Sequence, residues 1–136
     1  MYAVGREHPL KQPCGRILII IADQPSVFVT DAEVLQEVIH RYLAQRRWAE
    51  GRGVFRRFAA LMQDRVETIR ATDVERAAML ADSHPELAAR DLLHTAVMQR
   101  LGVRQIISAD AGFDRIAGVE RLDPAALSSW EAALLA

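Results

Sequence analysis

The chain has 136 residues, of which 51% are hydrophobic and 26% charged, and its formal net charge is −1. These values predict one globular domain with its own core, and they exclude a disordered chain and a globally basic nucleic-acid-binding protein. Cys14 is the only cysteine, so no internal disulfide can form, and no apolar run reaches the roughly 18 residues of a membrane span. Because the N-terminal residues also lack a signal-peptide pattern, we expect a cytoplasmic protein with no membrane partner.

Helical and extended patterns alternate along the chain. Helices are predicted at residues 13–22, 30–47, 54–62, 72–82, 85–101 and from Pro124 onward, extended segments at 27–29, 66–69, 103–108 and 119–122, and a helical turn at 111–116. Short strands that alternate with helices favour an α/β sandwich, with a short parallel sheet flanked by helices.

Several helix boundaries carry recognisable end signals. Thr30 and Thr72 are each followed by Glu three residues later, which is capping-box spacing. Pro85 predicts the start of the fifth helix, and Gly102 predicts its end. The Gly51–Gly53 segment interrupts the apolar periodicity, so we expect a break before the third helix.

Asp91 is the strongest single candidate for a functional residue. The predicted helix around it is apolar on nearly every side, and an ionised carboxylate there is costly unless it is paired or bound to a metal. The alternative is a structural acid early in the helix, stabilised by the helix dipole or by an arginine such as Arg90.

Three further acids fall where a cleft is expected. Asp110 and Asp114 follow the predicted strand at 103–108, and ligands of parallel sheets sit beyond the carboxyl ends of strands. Asp110 could instead cap the following turn, and Asp114 could be a solvated acid or a partner of Arg115 or Arg121. Glu37 lies about 60° outside the apolar face of its helix, so it is predicted at a core rim facing a cleft.

Carboxylates from separate elements, with few histidines and no cysteine pair, suit a hard cation such as Mg²⁺ or Mn²⁺. A zinc site is not expected because the four histidines lack paired spacing. His94 is expected to pack or bond locally, with a role beside Asp91 as the minor alternative. The chain has no Gly-rich phosphate loop, and no D-x-D at a strand end that a phosphatase-like hydrolase would need. Arginines surround the Gly51–Gly53 segment, either as solvated charges or as a phosphate-contacting arm.

The segments TDAEVLQEVIHRY and ARDLLHTAVMQRLGVRQIISADAGFDRIAGVERLDP resemble the PIN-domain family, and within it the ribonuclease toxins of bacterial toxin–antitoxin pairs. The resemblance implies one PIN-like three-layer sandwich over residues 1–136. It also implies Mg²⁺- or Mn²⁺-dependent RNA cleavage in which Glu37, Asp91 and Asp110 are catalytic and, with Asp114 as a fourth acid, bind the metal. A cognate antitoxin and a homodimer are the implied partners.

One departure from the family pattern concerns the start of the chain. The family begins with an apolar strand that ends in Asp, and Met1 here matches a position just after that acid. We therefore expect a domain truncated at its N-terminus relative to the family, unless the true start lies upstream. Loss of a central strand would expose backbone groups of its neighbours, and loss of one acid would weaken metal binding.

Two functions of different classes follow. The first is a metal-dependent ribonuclease, which predicts that the four acids converge on one cleft. The second is a catalytically impaired or inactive protein of the same fold that acts through an antitoxin or dimer interface.

Overall fold

The computed structural model describes residues 2–136, in which α-helices alternate with short strands. The helices are α1 (Lys11–Asp23), α2 (Ala32–Ala44), α3 (Trp48–Leu61), α4 (Ala71–Ser83), α5 (Ala89–Leu101) and α6 (Leu127–Leu135). The strands are β1 (Thr30–Asp31), β2 (Val66–Glu67), β3 (Gln105–Ile107) and β4 (Glu120–Leu122), and 3₁₀ turns occupy Pro25–Val27, Ala111–Arg115 and Pro124–Ala126. The predicted alternation is confirmed, with strands shorter than predicted and a 3₁₀ turn at 25–27.

The strands form two separate parallel pairs. Thr30 of β1 lies opposite Val66 of β2, and Ile106 of β3 lies opposite Arg121 of β4. The strands are parallel and flanked by helices, as expected, and within residues 2–136 they form two pairs that no ladder joins. A cleft of about 1450 Å³ lies between β1 and β3. Alternation of elements predicts how many strands form and that they run parallel, but it does not predict whether their edges meet.

Aspartates, not the predicted threonines, hold the starts of α2 and α4. Asp31 Oδ1 accepts a hydrogen bond from the Val34 backbone N–H at 3.2 Å, and Thr30 lies in β1. Asp73 Oδ2 accepts from the Arg70 backbone N–H at 2.9 Å, one residue beyond the predicted cap at Thr72. A carboxylate at a helix start also interacts favourably with the helix dipole, which a hydroxyl does not match.

Helix α3 begins earlier in the chain than predicted, and α5 begins later. Gly51 and Gly53 lie inside α3 instead of interrupting it, because Gly51 is buried where α3 approaches α2. Helix α5 begins at Ala89 rather than at Pro85, so Asp91 falls in its first turn. The predicted end at Gly102 is confirmed, and its φ of +69° is the left-handed conformation that glycine adopts readily.

The buried apolar side chains form two clusters. Ile17 and Ile21 of α1 pack with Met62 in one cluster, and Leu92 and Ala96 of α5 pack with α4 in the other. Helix α5 is buried along most of its length, as its apolar sequence predicts. Among residues 2–136, no helix has the length and apolar character needed to cross a bilayer.

Candidate active site

Three of the four predicted acids line the cleft. Glu37 comes from α2, Asp91 from the first turn of α5, and Asp110 from the segment just after β3. Asp114 does not line the cleft. The fold therefore brings distant carboxylates to the same opening, because α2, α5 and β3 all border it. Glu37 and Asp91 are more than 50 residues apart in the sequence.

Asp91 is only 9% exposed. Burial raises the pKa of its carboxyl above the ordinary value, and the negative charges of Asp110 and Glu37 act in the same direction, whereas the charges of Arg90 and His94 oppose the shift. No hydrogen bond to the Asp91 side chain is present in residues 2–136; the Thr95 hydroxyl donates to the Asp91 backbone carbonyl instead, at 2.8 Å. The Asp91 carboxyl therefore lies near both like and opposite charges, and none of the described residues donates a hydrogen bond to it.

Glu37 lies at the rim of the cleft, where its position on the helix predicts it. Its side chain is 22% exposed, and its Oε1 is 3.1 Å from Arg90 Nε. The same oxygen is 3.8 Å from His94 Nε2. Glu37 is therefore flanked by Arg90, which neighbours Asp91 in sequence, and by a buried imidazole.

Asp110 caps the turn after β3, and its side chain also borders the cleft. Its Oδ1 accepts a hydrogen bond from the Gly112 backbone N–H at 2.8 Å and so caps the 3₁₀ turn. Its side chain also borders the cleft and raises the pKa of Asp91. Since the cap engages Oδ1, Oδ2 is the oxygen left for a ligand.

Asp114 lies outside the cleft and pairs with Arg121. Its two carboxylate oxygens accept from Arg121 Nε at 2.9 Å and Arg121 Nη2 at 3.0 Å. This forked pair lowers the pKa of Asp114, and Arg121 also donates to the Ser108 carbonyl at 3.1 Å. The alternative that Asp114 is a partner of Arg121 is confirmed, and its predicted role as a metal ligand stays a prediction.

Sequence reasoning missed one pair of residues at the base of the cleft. His94 Nδ1 lies 2.7 Å from Asp31 Oδ2, and the two residues are 8% and 6% exposed. His94 packs in the interior as expected, but its hydrogen bond is not local, since the two residues are 63 positions apart. Burial alone would lower the pKa of His94, but the hydrogen bond with Asp31 and the nearby Glu37 carboxylate outweigh it and raise the pKa to about 9. One signal was available: His94 is three residues after Asp91 and shares its helix face.

The carboxylates at the cleft have the chemistry to bind a divalent cation. Four of them, from Asp31, Glu37, Asp91 and Asp110, line the cleft together with His94 and the guanidinium groups of Arg41, Arg57 and Arg90. Carboxylate oxygens are the ligands that Mg²⁺ and Mn²⁺ prefer. Among the described residues, however, no three His, Cys, Asp or Glu side chains already stand close enough to hold one ion. The donor chemistry fits, and the carboxylates would have to draw closer to a bound ion.

Arginines surround the acids. Arg41, Arg57 and Arg90 line the cleft, and all three are exposed. Of the arginines near the Gly51–Gly53 segment, Arg57 reaches the cleft, whereas Arg47 is paired with Glu50 at 2.6 Å. Exposed positive charge therefore lies close to the acids, of which Glu37 is at the rim and Asp110 is exposed.

Comparison with known proteins gives a consistent family match. The sequence profile described as PIN domain matches residues 1–119. VapC ribonuclease Mb1869c of Mycobacterium bovis and ribonuclease VapC13 of Mycobacterium tuberculosis are each 40% identical to this chain over 122 residues, which cover 90% of this chain and 92% of each relative. Ribonuclease VapC7 of M. tuberculosis is 32% identical over 125 residues, covering 91% of this chain and 86% of that protein. No solved structure gives a significant match.

Proposed function

Because the chain belongs to the PIN-domain family, we propose that it is a metal-dependent ribonuclease of the toxin–antitoxin type that hydrolyses RNA phosphodiester bonds. The observation that carries the proposal is the buried Asp91 carboxyl, which receives no hydrogen bond from residues 2–136 and whose pKa is raised by burial and by the charges of Asp110 and Glu37. A buried acid in a cleft whose pKa is perturbed by burial and by specific neighbouring charges is a candidate functional group.

In this proposal Glu37, Asp91 and Asp110 hold one Mg²⁺ or Mn²⁺ ion. When bound, the ion lowers the pKa of a water molecule and neutralises charge on the phosphate. Asp91 is fixed by its place in the first turn of α5, and Asp110 by its bond to Gly112. These constraints place both carboxylates at the cleft, and binding the ion would draw them and Glu37 closer together.

The exposed arginines supply the contacts to RNA. Arg41, Arg57 and Arg90 line the same cleft as the acids. Guanidinium groups bind phosphate in a two-pronged geometry, and phosphate contacts position a nucleic acid without reading its sequence. Arg90 pairs with Glu37 in this structure. Once Glu37 binds the ion, an RNA phosphate would replace Glu37 as the partner of Arg90.

The proposal extends to two protein partners and a compartment. A cognate antitoxin would cover the cleft, and a second copy of the chain would form a homodimer, both in the cytoplasm. Ile19, Val74 and Met79 are more than half exposed, at 52%, 54% and 60%, and offer apolar surface for such contacts. Light scattering of the isolated chain tests the dimer, and a concentration-independent monomer mass would exclude it.

The ribonuclease proposal is tested by cleavage of a mixed single-stranded RNA with Mn²⁺, with EDTA, and with the variant Asp91→Asn. We expect cleavage that EDTA abolishes and that falls at least a hundredfold in the variant, since one carboxylate ligand is lost. Asp82→Asn is the matched control, because Asp82 is exposed and lies outside the cleft. Equal cleavage by wild type and Asp91→Asn would refute the proposal.

The second candidate is a protein of the same fold that binds a partner without cleaving RNA. Two observations favour it. Within residues 2–136 the acids do not stand close enough together to hold a metal ion, and Glu37 forms an ion pair with Arg90. This candidate predicts that the wild type neither cleaves RNA nor binds Mn²⁺, yet binds an antitoxin.

A further inference from the structure

A buried hydrogen bond joins α5 to the start of α2 directly behind the acids. Asp31 Oδ2 and His94 Nδ1 are 2.7 Å apart, and their side chains are 8% and 10% exposed. Asp31 divides its two oxygens between two tasks, since Oδ1 accepts from the Val34 backbone N–H at 3.2 Å. Removing both polar side chains from water is costly, so the pair calls for an explanation beyond packing.

The geometry of the ring gives that explanation. With Nδ1 bonded to Asp31, Nε2 on the opposite side of the imidazole faces Glu37 Oε1 at 3.8 Å. The ring cannot rotate without breaking the short bond to Asp31, and Asp31 cannot move without uncapping α2. Glu37 is carried by α2 itself, so one aspartate fixes both the helix that bears Glu37 and the imidazole that faces it.

We propose that Asp31 and His94 are positioning residues for Glu37: Asp31 fixes the imidazole, and the imidazole holds the Glu37 carboxylate at the rim of the cleft, ready to bind a divalent cation. The inference rests on the proposed function, in which Glu37 is a ligand. Partners behind a ligand orient it, and their loss typically costs about 10- to 100-fold in metal affinity. His94 touches neither the ion nor the RNA in this arrangement.

Two substitutions at one position separate positioning from packing. The amide of Asn falls near the place of Nδ1, so His94→Asn keeps a donor for Asp31 and loses the group that faces Glu37. The amide of Gln falls near the place of Nε2, so His94→Gln keeps a donor toward Glu37. The readout is the affinity for Mn²⁺ alone, followed through the electron paramagnetic resonance signal of free Mn²⁺, together with the melting temperature.

We expect His94→Asn to bind Mn²⁺ about 10- to 100-fold more weakly than wild type, and His94→Gln to recover most of that affinity. We also expect His94→Asn to recover kcat for RNA cleavage at saturating Mn²⁺, because no group that touches the reactants is lost. In the background of Glu37→Gln, His94→Asn should have no further effect on affinity, since the residue that it positions is already altered.

Each other outcome decides against a specific claim. If the wild type binds no Mn²⁺, the proposed function fails. If the wild type binds and His94→Asn binds equally well, or if the Asn and Gln variants lose affinity and melting temperature equally, the positioning role fails. If neither His94 variant folds, Asp31→Ser provides the test, because a serine hydroxyl can keep the cap on Val34 and is too short to reach His94. Wild-type affinity in Asp31→Ser would then overturn the inference.

Discussion

Gly51 of α3 lies against the side chain of Tyr42 of α2. A Cβ added at Gly51 would stand 2.4 Å from Tyr42 Cβ and 2.4 Å from Tyr42 Cγ. Tyr42 is itself only 5% exposed, so its side chain has no free space to move into. The glycine that reads as a helix breaker in the sequence is therefore required inside a helix, where it lets α2 and α3 approach closely.

We expect Gly51→Ala to lower the free energy of unfolding by about 1–3 kcal/mol, because the added methyl group overpacks a tight contact. Gly53→Ala is the matched control. Its nearest neighbour would be the Arg57 guanidinium at 3.3 Å, the far end of a flexible side chain, and alanine is the better helix former by about 1 kcal/mol. Gly53→Ala should be neutral or stabilising in urea unfolding. A Gly51→Ala variant as stable as Gly53→Ala would contradict the packing.

The Asp73–Arg100 ion pair predicts a dependence of stability on acid. Asp73 is 3% exposed, and its Oδ1 lies 2.8 Å from Arg100 Nε. The hydrogen bond from Arg100 holds the pKa of Asp73 below its ordinary value of 3.8. A lowered pKa means that the pair stabilises the fold above pH 3.8 and that this contribution is lost as the pH falls through the pKa of the folded state.

We expect Asp73→Ala to cost about 3 kcal/mol at neutral pH, because it leaves Arg100 largely buried without its main partner. The cost should shrink when unfolding is measured at progressively lower pH below about 4. Glu67→Gln is the milder comparison: Glu67 is 34% exposed and 3.4 Å from Arg100, so less than about 1 kcal/mol is expected. An Asp73→Ala cost that stayed constant down to pH 2 would argue against the assigned pair.

Asp91→Asn should stabilise the metal-free protein. Because burial and the neighbouring acids raise the pKa of Asp91, its ionised form works against folding as the pH rises. An uncharged amide of the same size removes that repulsion, and we expect a gain of about 1 kcal/mol at pH 7. At saturating Mn²⁺ the wild type should become more stable than Asp91→Asn, since the ion stabilises only a chain that binds it. A metal-free variant less stable than wild type would mean that the Asp91 carboxylate has a structural partner.

Asp110 and Asp114 should differ in their effect on metal affinity. We expect Asp110→Asn to weaken Mn²⁺ binding by more than tenfold, because Asp110 lines the cleft. Asp114→Asn should change it by less than threefold, because the Asp114 carboxylate is held by Arg121 outside the cleft. Isothermal titration with Mn²⁺ measures both. A loss at Asp114 as large as that at Asp110 would show that Asp114 leaves Arg121 to bind the ion.

Local patterns predict most elements of this fold. The apolar periodicity of α5 and the stop at Gly102 depend on residues close in sequence, and so does the rim position of Glu37 on α2. The bond between Asp31 and His94 is different in kind, because it joins residues 63 positions apart and neither pattern points to the other. The same limit explains Gly51: only the position of Tyr42 in space shows why a glycine belongs there.

The separation of the β1–β2 pair from the β3–β4 pair has a mechanical consequence. Among residues 2–136 no backbone hydrogen bond crosses the cleft between these pairs, so its width is not fixed by the spacing of a sheet. It is set by side chains, chiefly the buried face of α5 and the Asp31–His94 bond. Glu37 lies on the β1 side of the cleft, in α2, while Asp110 follows β3 on the other side. A substitution in the core, far from either carboxylate, can therefore alter the distance between them.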